Sequence, residues 1–407
     1  MEKLIEQNLN IVDHLVKDEK WDEAEIILNG ILSIRPDSLK ALQVYGMILY
    51  IQKRYEEAVE IALKAMEIDE TNFENYNNLN LCYLQLHQID KSREILLKAL
   101  KYDPDNLGFN LDLSFAYFLN GEWEKGWKLD EYRIKYLENT PVYAQFYSLF
   151  DIKKRWNGID SLEGKKIIAY CEQGFGDFIQ HVRFIPKLKE LGAEVYIFTQ
   201  ENLFALFENL GTLISTPLDV YDYNCSVMSL PHLLNISVEQ CVGKPYLYVE
   251  EKFNLTEYKD NFKIGITWSG NPAFSQNHLR CCQPSDFQRL SEMNNVKLFS
   301  LQKDMSVENT NIINMSEYMT DFKETAKIIQ AMDLIITVDT SILHLAGALG
   351  KETWAMIYFV PCGRWKIKGD KTPWYDSVTL FRQEELKNWN TVFAKIENKL
   401  NEYMQVN

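Results

Sequence analysis

Residues 334–350 read Leu-Ile-Ile-Thr-Val-Asp-Thr-Ser-Ile-Leu-His-Leu-Ala-Gly-Ala-Leu-Gly. The apolar, β-rich run Leu334–Val338 predicts a buried strand. It stops at Asp339, Thr340 and Ser341, whose side chains suit a helix start, and a small-residue helix follows with His344 on its first turn and Gly350 at its close. A strand that passes directly into a helix is the unit of a parallel α/β sheet. It also leaves unpaired backbone N–H groups at the helix start, a ready anion site. Thr340 and Ser341 add hydroxyls and His344 a ring nitrogen, which together suit a diphosphate. An ordinary α/β crossover with a partly buried histidine has the same outline, so the rest of the chain must decide between the two.

The pattern recurs upstream. Lys166–Tyr170 predicts a strand, followed by Cys171-Glu172-Gln173-Gly174-Phe175-Gly176-Asp177, a helical stretch from Phe178 to Leu191 kinked at Pro186, and a strand from Glu194 to Thr199. Gly174 and Gly176 allow a tight turn and close backbone approach to a ligand, while the third glycine of the dinucleotide fingerprint is absent. Asp177 stands where the helix opens, and the helix dipole favours an ionised carboxylate there. It either caps its helix or faces a cleft as a general base. Arg183, on the same helix, reads as the partner of an acidic neighbour. A second α/β half runs from Lys263 to Asn271, through 296–303 and a helix from Thr325 to Met332, into 334–350. Such alternation predicts a parallel sheet with ligands at the strands' carboxyl ends. Ser269, Gly270, Asn271, Gln302, Asp339, Thr340, Ser341 and His344 all fall at such ends. The last helix is expected from about Glu384 to Met404, in a packing role.

The first third of the chain repeats every 34 residues, the period of tetratricopeptide (TPR) units. Ala24, Ala58, Ser92 and Gly126 are one period apart, as are Ile31, Ala65 and Ala99, while Pro36 and Pro104 are two periods apart. Small residues recur where two helices cross closely, and proline recurs where a hairpin must stop. Three to four repeats are expected, forming a solenoid of the kind whose concave face grips a peptide. Asp103-Pro104-Asp105 has the Asp-x-Asp form of a metal-binding glycosyltransferase motif, but it falls on the turn between repeats and is read as part of that turn.

Bulk properties exclude several classes. The 407 residues carry a formal net charge of -15, which argues against a nucleic-acid partner, because phosphate backbones need a basic face. Residues 1–140 hold 26 acidic and 16 basic side chains, so the repeats are the more acidic part. No run reaches the apolar length of a membrane span, and the charged N-terminus does not read as a signal peptide. Seven scattered cysteines without a Cys-x-x-Cys pair suggest reduced thiols in a cytoplasmic protein.

Several motifs stand in one order: Glu172 to Asp177, Ile266 to Asn271, Ser300 to Lys303, Asp321 with Thr325-Ala326, Val338 to Ser341 with His344 to Gly347, and Trp374-Tyr375 with Phe381 to Gln383. With the repeats, they resemble bacterial TPR proteins whose C-terminal part is related to the ADP-heptose:lipopolysaccharide heptosyltransferases, and more distantly O-GlcNAc transferase. The resemblance implies an α + α/β fold, a TPR α-solenoid followed by a GT-B glycosyltransferase made of two Rossmann-like domains. The expected layout is repeats at 1–138, a linker at 139–160, an acceptor-side half at 161–258 carrying the base, and a nucleotide-sugar half at 259–407.

The implied activity is metal-independent transfer of a sugar from a nucleotide-sugar to a protein acceptor, with no cofactor. Asp177 would be the catalytic base. Gly174, Gly176, Trp268, Ser269, Gly270, Asn271, Arg280, Gln302, Asp339, Thr340, Ser341 and His344 would contact the donor. The acceptor implied is flagellin or another surface protein, held by the TPR arm and modified on Ser or Thr; a homodimer is left open. Two departures bear on the identity of the donor. Cys281-Cys282 follow Arg280 where relatives often have serine, and Pro361-Cys362-Gly363 precede Arg364-Trp365 where relatives often have Asp-Trp. Two rival readings stay open: a non-catalytic TPR adaptor with a degenerate transferase half, and an enzyme acting on a glycan.

Overall fold

The structure, a computed structural model, describes residues 2–241, 243–303 and 311–406. It comprises two units, Met1–Tyr136 and Leu137–Asn407. The first is built of helical hairpins: α1 (Glu2–Lys17) with α2 (Trp21–Ile34), α3 (Leu39–Ile51) with α4 (Tyr55–Ile68), α5 (Phe73–Gln85) with α6 (Ile89–Ala99), and α7 (Leu107–Asn120) with α8 (Trp123–Asp130). The small residues of the 34-residue register do what their size suggests. Ala24, Ala58, Ser92 and Gly126 are buried where the paired helices cross. At the last of these positions a methyl group would lie 2.3 Å from the Phe118 ring, so the site admits no side chain. Asp103 lies in the turn before α7, where its carboxylate accepts from Asn106 Nδ2 at 3.1 Å, and Asn106 caps that helix.

The second unit holds two parallel sheets. In the first, β1 (Lys166–Tyr170), β2 (Glu194–Phe198), β3 (Thr212–Ile214) and β4 (Tyr223–Ser226) take the order β3-β2-β1-β4. In the second, β5 (Phe262–Thr267), β6 (Val296–Ser300), β7 (Ile312–Asn314), β8 (Leu334–Val338), β9 (Thr353–Ile357) and β10 (Val378–Arg382) take the order β10-β9-β8-β5-β6-β7. This is the doubly wound arrangement, in which the chain leaves a central strand first to one side and then to the other. Ligand crevices in such sheets open at the carboxyl ends of the strands flanking the reversal: β1 and β4 in one sheet, β5 and β8 in the other. β8 and β9 are buried along their whole length, as their largely apolar runs require, with Thr337 and Thr353 the polar members.

Three local expectations differ from the structure. The stretch 139–160, expected as a linker, holds the helix Pro141–Tyr147, which places Phe146 against Phe198, and Phe150 stacks on Tyr170 at 4.3 Å between ring centroids. An aromatic-rich stretch beside an exposed sheet face is drawn onto it. The helix after β1 begins at Phe175 and runs to His181, passes through a tight turn at Val182–Phe184, and resumes as Ile185–Glu190. The break thus precedes Pro186, because a proline ring crowds the carbonyl four residues before it, here that of Val182. The C-terminal helix starts at Asn390, not Glu384, and buries Val392, Phe393, Ile396 and Leu400 against the second sheet's core.

Candidate active site

The turn after β1 and the turn after β8 face each other. Gly174 precedes the Phe175–His181 helix, and Thr340 precedes the Ser341–Ala348 helix. The two helix starts abut at Gly176, where a methyl group would lie 2.8 Å from His344 Cδ2 and 3.6 Å from Ser341 Cα. Two sets of unpaired N–H groups and two positive dipole ends therefore converge on one place.

Asp177 caps its helix and also reaches across to an arginine. Its Oδ2 accepts from the Gly174 backbone N–H at 3.2 Å, capping its own helix, while its Oδ1 pairs with Nη2 of Arg364 from the opposite side of the cleft. Burial alone would raise this carboxyl's pKa, but the Arg364 guanidinium outweighs it and holds Asp177 below the ordinary carboxylate range.

Arg364 is the hub of the site. Its Nη1 donates to Gln180 Oε1 at 2.8 Å and approaches His344 Nε2 at 3.2 Å, and its Nε donates to Cys362 Sγ at 3.1 Å. Arginine has no acceptor, so His344 Nε2 must accept; the imidazole proton then sits on Nδ1 and is donated to the Tyr375 hydroxyl at 2.9 Å. His344 is buried, stacked on Trp365 with centroids 5.4 Å apart, and neutral: burial first, and Arg364 second, push its pKa well below the usual histidine value. The ring expected to offer a nitrogen to a phosphate thus has both nitrogens engaged, and the cation beside it is Arg364. Burial raises the Asp339 carboxyl above its ordinary range although Arg364 opposes the shift.

The second sheet's other strand ends complete the cluster. Gln302 Oε1 accepts from the backbone N–H groups of Trp268 and Ser269 at 3.3 and 3.1 Å. Asn277 ties Ser269 and Gly270 together: its Nδ2 donates to Ser269 Oγ at 3.0 Å, and its Oδ1 accepts from the Gly270 N–H at 3.1 Å. Arg280 donates through Nη1 to the Asp339 carbonyl at 2.8 Å and lies so close over Gly270 that a methyl group there would meet the guanidinium at 2.2 Å. Thr340 Oγ1 lies 3.2 Å from Thr337 Oγ1, and Ser341 is half-buried beside Gly176.

The structure therefore gathers Gly176, Asp177, Ser269, Gly270, Arg280, Gln302, Asp339, Thr340, Ser341 and His344 around one cleft, with Gly174 at its rim. Two other expected residues are held differently. Trp268 is 1% exposed and packs in the core of the second sheet, so only its backbone reaches the site. Asn271 sits on an exposed loop, where its Oδ1 accepts from the Ala273 N–H at 2.9 Å. Arg183 donates to the Gln180 and Trp374 carbonyls and lies over aromatic rings, its guanidinium 4.3 Å from the Tyr246 ring centroid and 4.9 Å from that of Tyr375, with no acidic partner among the described residues. Sequence reasoning missed Arg364, Tyr375, Asn277 and Gln180 as site residues. The Arg364-Trp365 and Trp374-Tyr375 pairs were visible signals, whereas nothing local marks Asn277. Among the described residues no cluster of His, Cys, Asp or Glu has the makings of a metal site, and no helix is long and apolar enough to cross a membrane.

Comparisons with known proteins divide along the same line as the fold. Residues 39–72 and 73–106 match the tetratricopeptide repeat family. Among curated proteins, the chain is similar to a tetratricopeptide repeat-containing protein, trd-1, of Caenorhabditis elegans, 25% identical over 113 residues, which are 28% of this chain and 15% of that protein. It is also similar to the BBSome complex member BBS4 of Bos taurus, 27% identical over 141 residues, 34% of this chain and 27% of that one. The chain thus spans only a small part of these relatives' length. Among solved structures, a MamA protein aligns with 33% of this chain and 74% of its own, at 19% identity and a TM-score of 0.32. Residues 287–400, which contain Gln302, Asp339 to His344, Arg364 and Tyr375, match glycosyltransferase family 9 (heptosyltransferase). The chain accordingly joins N-terminal tetratricopeptide repeats to a C-terminal heptosyltransferase-like glycosyltransferase domain.

Proposed function

We propose that the protein is a metal-independent glycosyltransferase of GT-B type that moves a sugar from a nucleotide-sugar to a hydroxyl of a protein acceptor. The observation that carries this reading is the start of the Ser341–Ala348 helix, flanked by Arg280 and Arg364, with the Asp177 carboxylate facing it across the cleft. It is supported by the family 9 match over that helix and Arg364. The diphosphate of the donor sits on the helix start, where backbone N–H groups, the Thr340 and Ser341 hydroxyls and the two guanidiniums meet its charge. Asp177 accepts the proton of the acceptor hydroxyl as its oxygen bonds to the anomeric carbon. The bond from that carbon to the phosphate oxygen breaks, and the nucleoside diphosphate leaves with the electron pair, its growing charge met by the same arginines. The TPR arm holds the acceptor, a Ser or Thr side chain of a surface protein such as flagellin, in the cytoplasm before export.

The test is a thermal-shift panel of UDP, GDP, ADP, CMP and their sugar conjugates. A ligand at about 100 times its dissociation constant stabilises by roughly 2.7 kcal/mol. One base should give a clear shift, reduced in Arg280→Ala. With that donor, Asp177→Asn should lower transfer by a factor on the order of 10² to 10⁴ without weakening donor binding. No shift with any nucleotide would favour a TPR adaptor with an inactive transferase half.

A further inference from the structure

We propose that Arg364 is a positioning residue shared between two anions: it holds the Asp177 carboxylate when the cleft is empty and passes to the donor's diphosphate when the cleft fills, leaving Asp177 free to take a proton. The proposal rests on the donor reading given above. Three observations carry it.

The first is the partner set of the guanidinium. Arg364 bonds Asp177 and Gln180 on the β1 side of the cleft and Cys362 and His344 on the β8 side. Asp177 is the one formally charged group among these four, so it is the partner with which an incoming anion competes for the guanidinium's charge. Gln180, Cys362 and His344 are neutral, and they keep the fork in place while that exchange occurs.

The second is position. Arg364 Nη1 lies 3.2 Å from Nε2 of His344, a residue of the first turn of the Ser341–Ala348 helix. The guanidinium therefore stands at the mouth of the helix start that would seat the diphosphate. Tyr375 and Trp365 fix His344, and through it the fork, from behind.

The third is charge. Arg364 faces both the Asp177 and Asp339 carboxyls, so its charge is already engaged before any anion arrives. A diphosphate brings at least two further negative charges. Arg280 already bonds neutral acceptors, the Asp339 carbonyl and Asn277, and is available as it stands. Arg364 becomes available only by loosening Asp177. The same step removes the guanidinium that depresses the carboxyl, which makes Asp177 a stronger proton acceptor at the moment a donor is present. An empty cleft then holds a weak base and a filled one a competent base.

The test uses inorganic pyrophosphate as the probe and calorimetric titration of the full chain, in wild type, D177N, R364Q and the double variant. If Arg364 spends about nine-tenths of its time on Asp177, releasing it should tighten pyrophosphate binding in D177N by about tenfold. Removing a negative charge would favour any anion, so the deciding comparison is the double variant. D177N should tighten binding severalfold less with R364Q already present than in the wild-type background, and R364Q alone should bind more weakly than wild type. Equal tightening by D177N in the two backgrounds would overturn the exchange while leaving the donor site intact, as would wild-type affinity in R364Q. A wild-type protein that binds no pyrophosphate would overturn the donor site and the exchange together. Should R364Q alone fail to fold with Asp177 unpaired, D177N alone remains decisive in one direction: a D177N protein that binds pyrophosphate no more tightly than wild type overturns the exchange.

Discussion

At the scale of single residues the site is defined by close approach. Gly176 is needed not for an unusual backbone angle but because its Cα faces the edge of the His344 ring. Gly176→Ala would drive a methyl group to 2.8 Å from that ring, which is wedged between Trp365 and Tyr375 and has no room to retreat. We expect a cost of about 1–3 kcal/mol, typical of overpacking, together with loss of the nucleotide-induced thermal shift, because moving His344 moves Arg364. Unchanged melting and an unchanged shift would show that the two helix starts do not touch as described. Much of this site was legible in the sequence: Asp177, Asp339, Thr340, Ser341 and Gly176 are marked by strand ends and glycines. Arg364 and Trp268 were misjudged for opposite reasons. Trp268 follows a strand directly and so looks like a ligand contact, but a large apolar side chain next to a parallel sheet gains more from the core. Arg364 stands far along the chain from Asp177, and no pattern in one sequence reports a pair formed across a cleft.

At the scale of elements the repeats show how a period survives changes of residue. In each hairpin the turn between the two helices passes through one left-handed position: Glu19 (φ 56°), Lys53 (φ 63°), His87 (φ 53°) and Gly121 (φ 78°), one period apart. Only the last is a glycine, the residue for which this conformation carries no steric penalty. Lys53→Gly should therefore stabilise the arm by about 1 kcal/mol, read as a higher denaturation midpoint; a lower midpoint would mean that the Lys53 side chain contributes more than its backbone costs. The 34-residue register was legible because the small residues at helix crossings cannot be enlarged, whereas these turns tolerate many residues and left no mark. A second prediction concerns α7. Asp112 accepts from Asn80 Nδ2 at 3.0 Å, and burial pushes its carboxyl up to about 6 although that bond opposes the shift. A carboxyl whose pKa is higher in the folded chain binds its proton more tightly there, so its protonation favours folding below the unfolded value. That contribution is lost as pH rises through about 6. Asp112→Asn should keep the hydrogen bond and remove the charge. The arm should then melt higher than wild type at pH 8 and about equally at pH 4; the same difference at both pH values would assign the effect to packing instead.

At the scale of the whole molecule the chain divides into two units, each with buried apolar clusters of its own. The helical unit closes on Leu28, Ile31, Ile48 and their neighbours, and the α/β unit on the apolar strands β5, β8 and β9. Alternating strands and helices made the second unit legible, and the 34-residue period the first. The stretch at 139–160 was not, because it has the Pro and polar content of a linker, while what ties it to the second unit is aromatic packing and hydrogen bonds to Tyr221 and Asn224, far along the chain. Two cores of this kind, each with its own hydrogen bonds, give two cooperative transitions in scanning calorimetry. The proposed donor cleft lies wholly within Leu137–Asn407, so its nucleotide should raise one transition and leave the other where it was, since a ligand stabilises only the unit whose folded form it binds. Lys53→Gly should move the other transition alone. The pair of perturbations then assigns both transitions without cutting the chain. If the nucleotide raised both transitions together, or if only one transition appeared, the arm and the transferase would fold as a single unit, and acceptor capture and sugar transfer would have to be treated as energetically coupled.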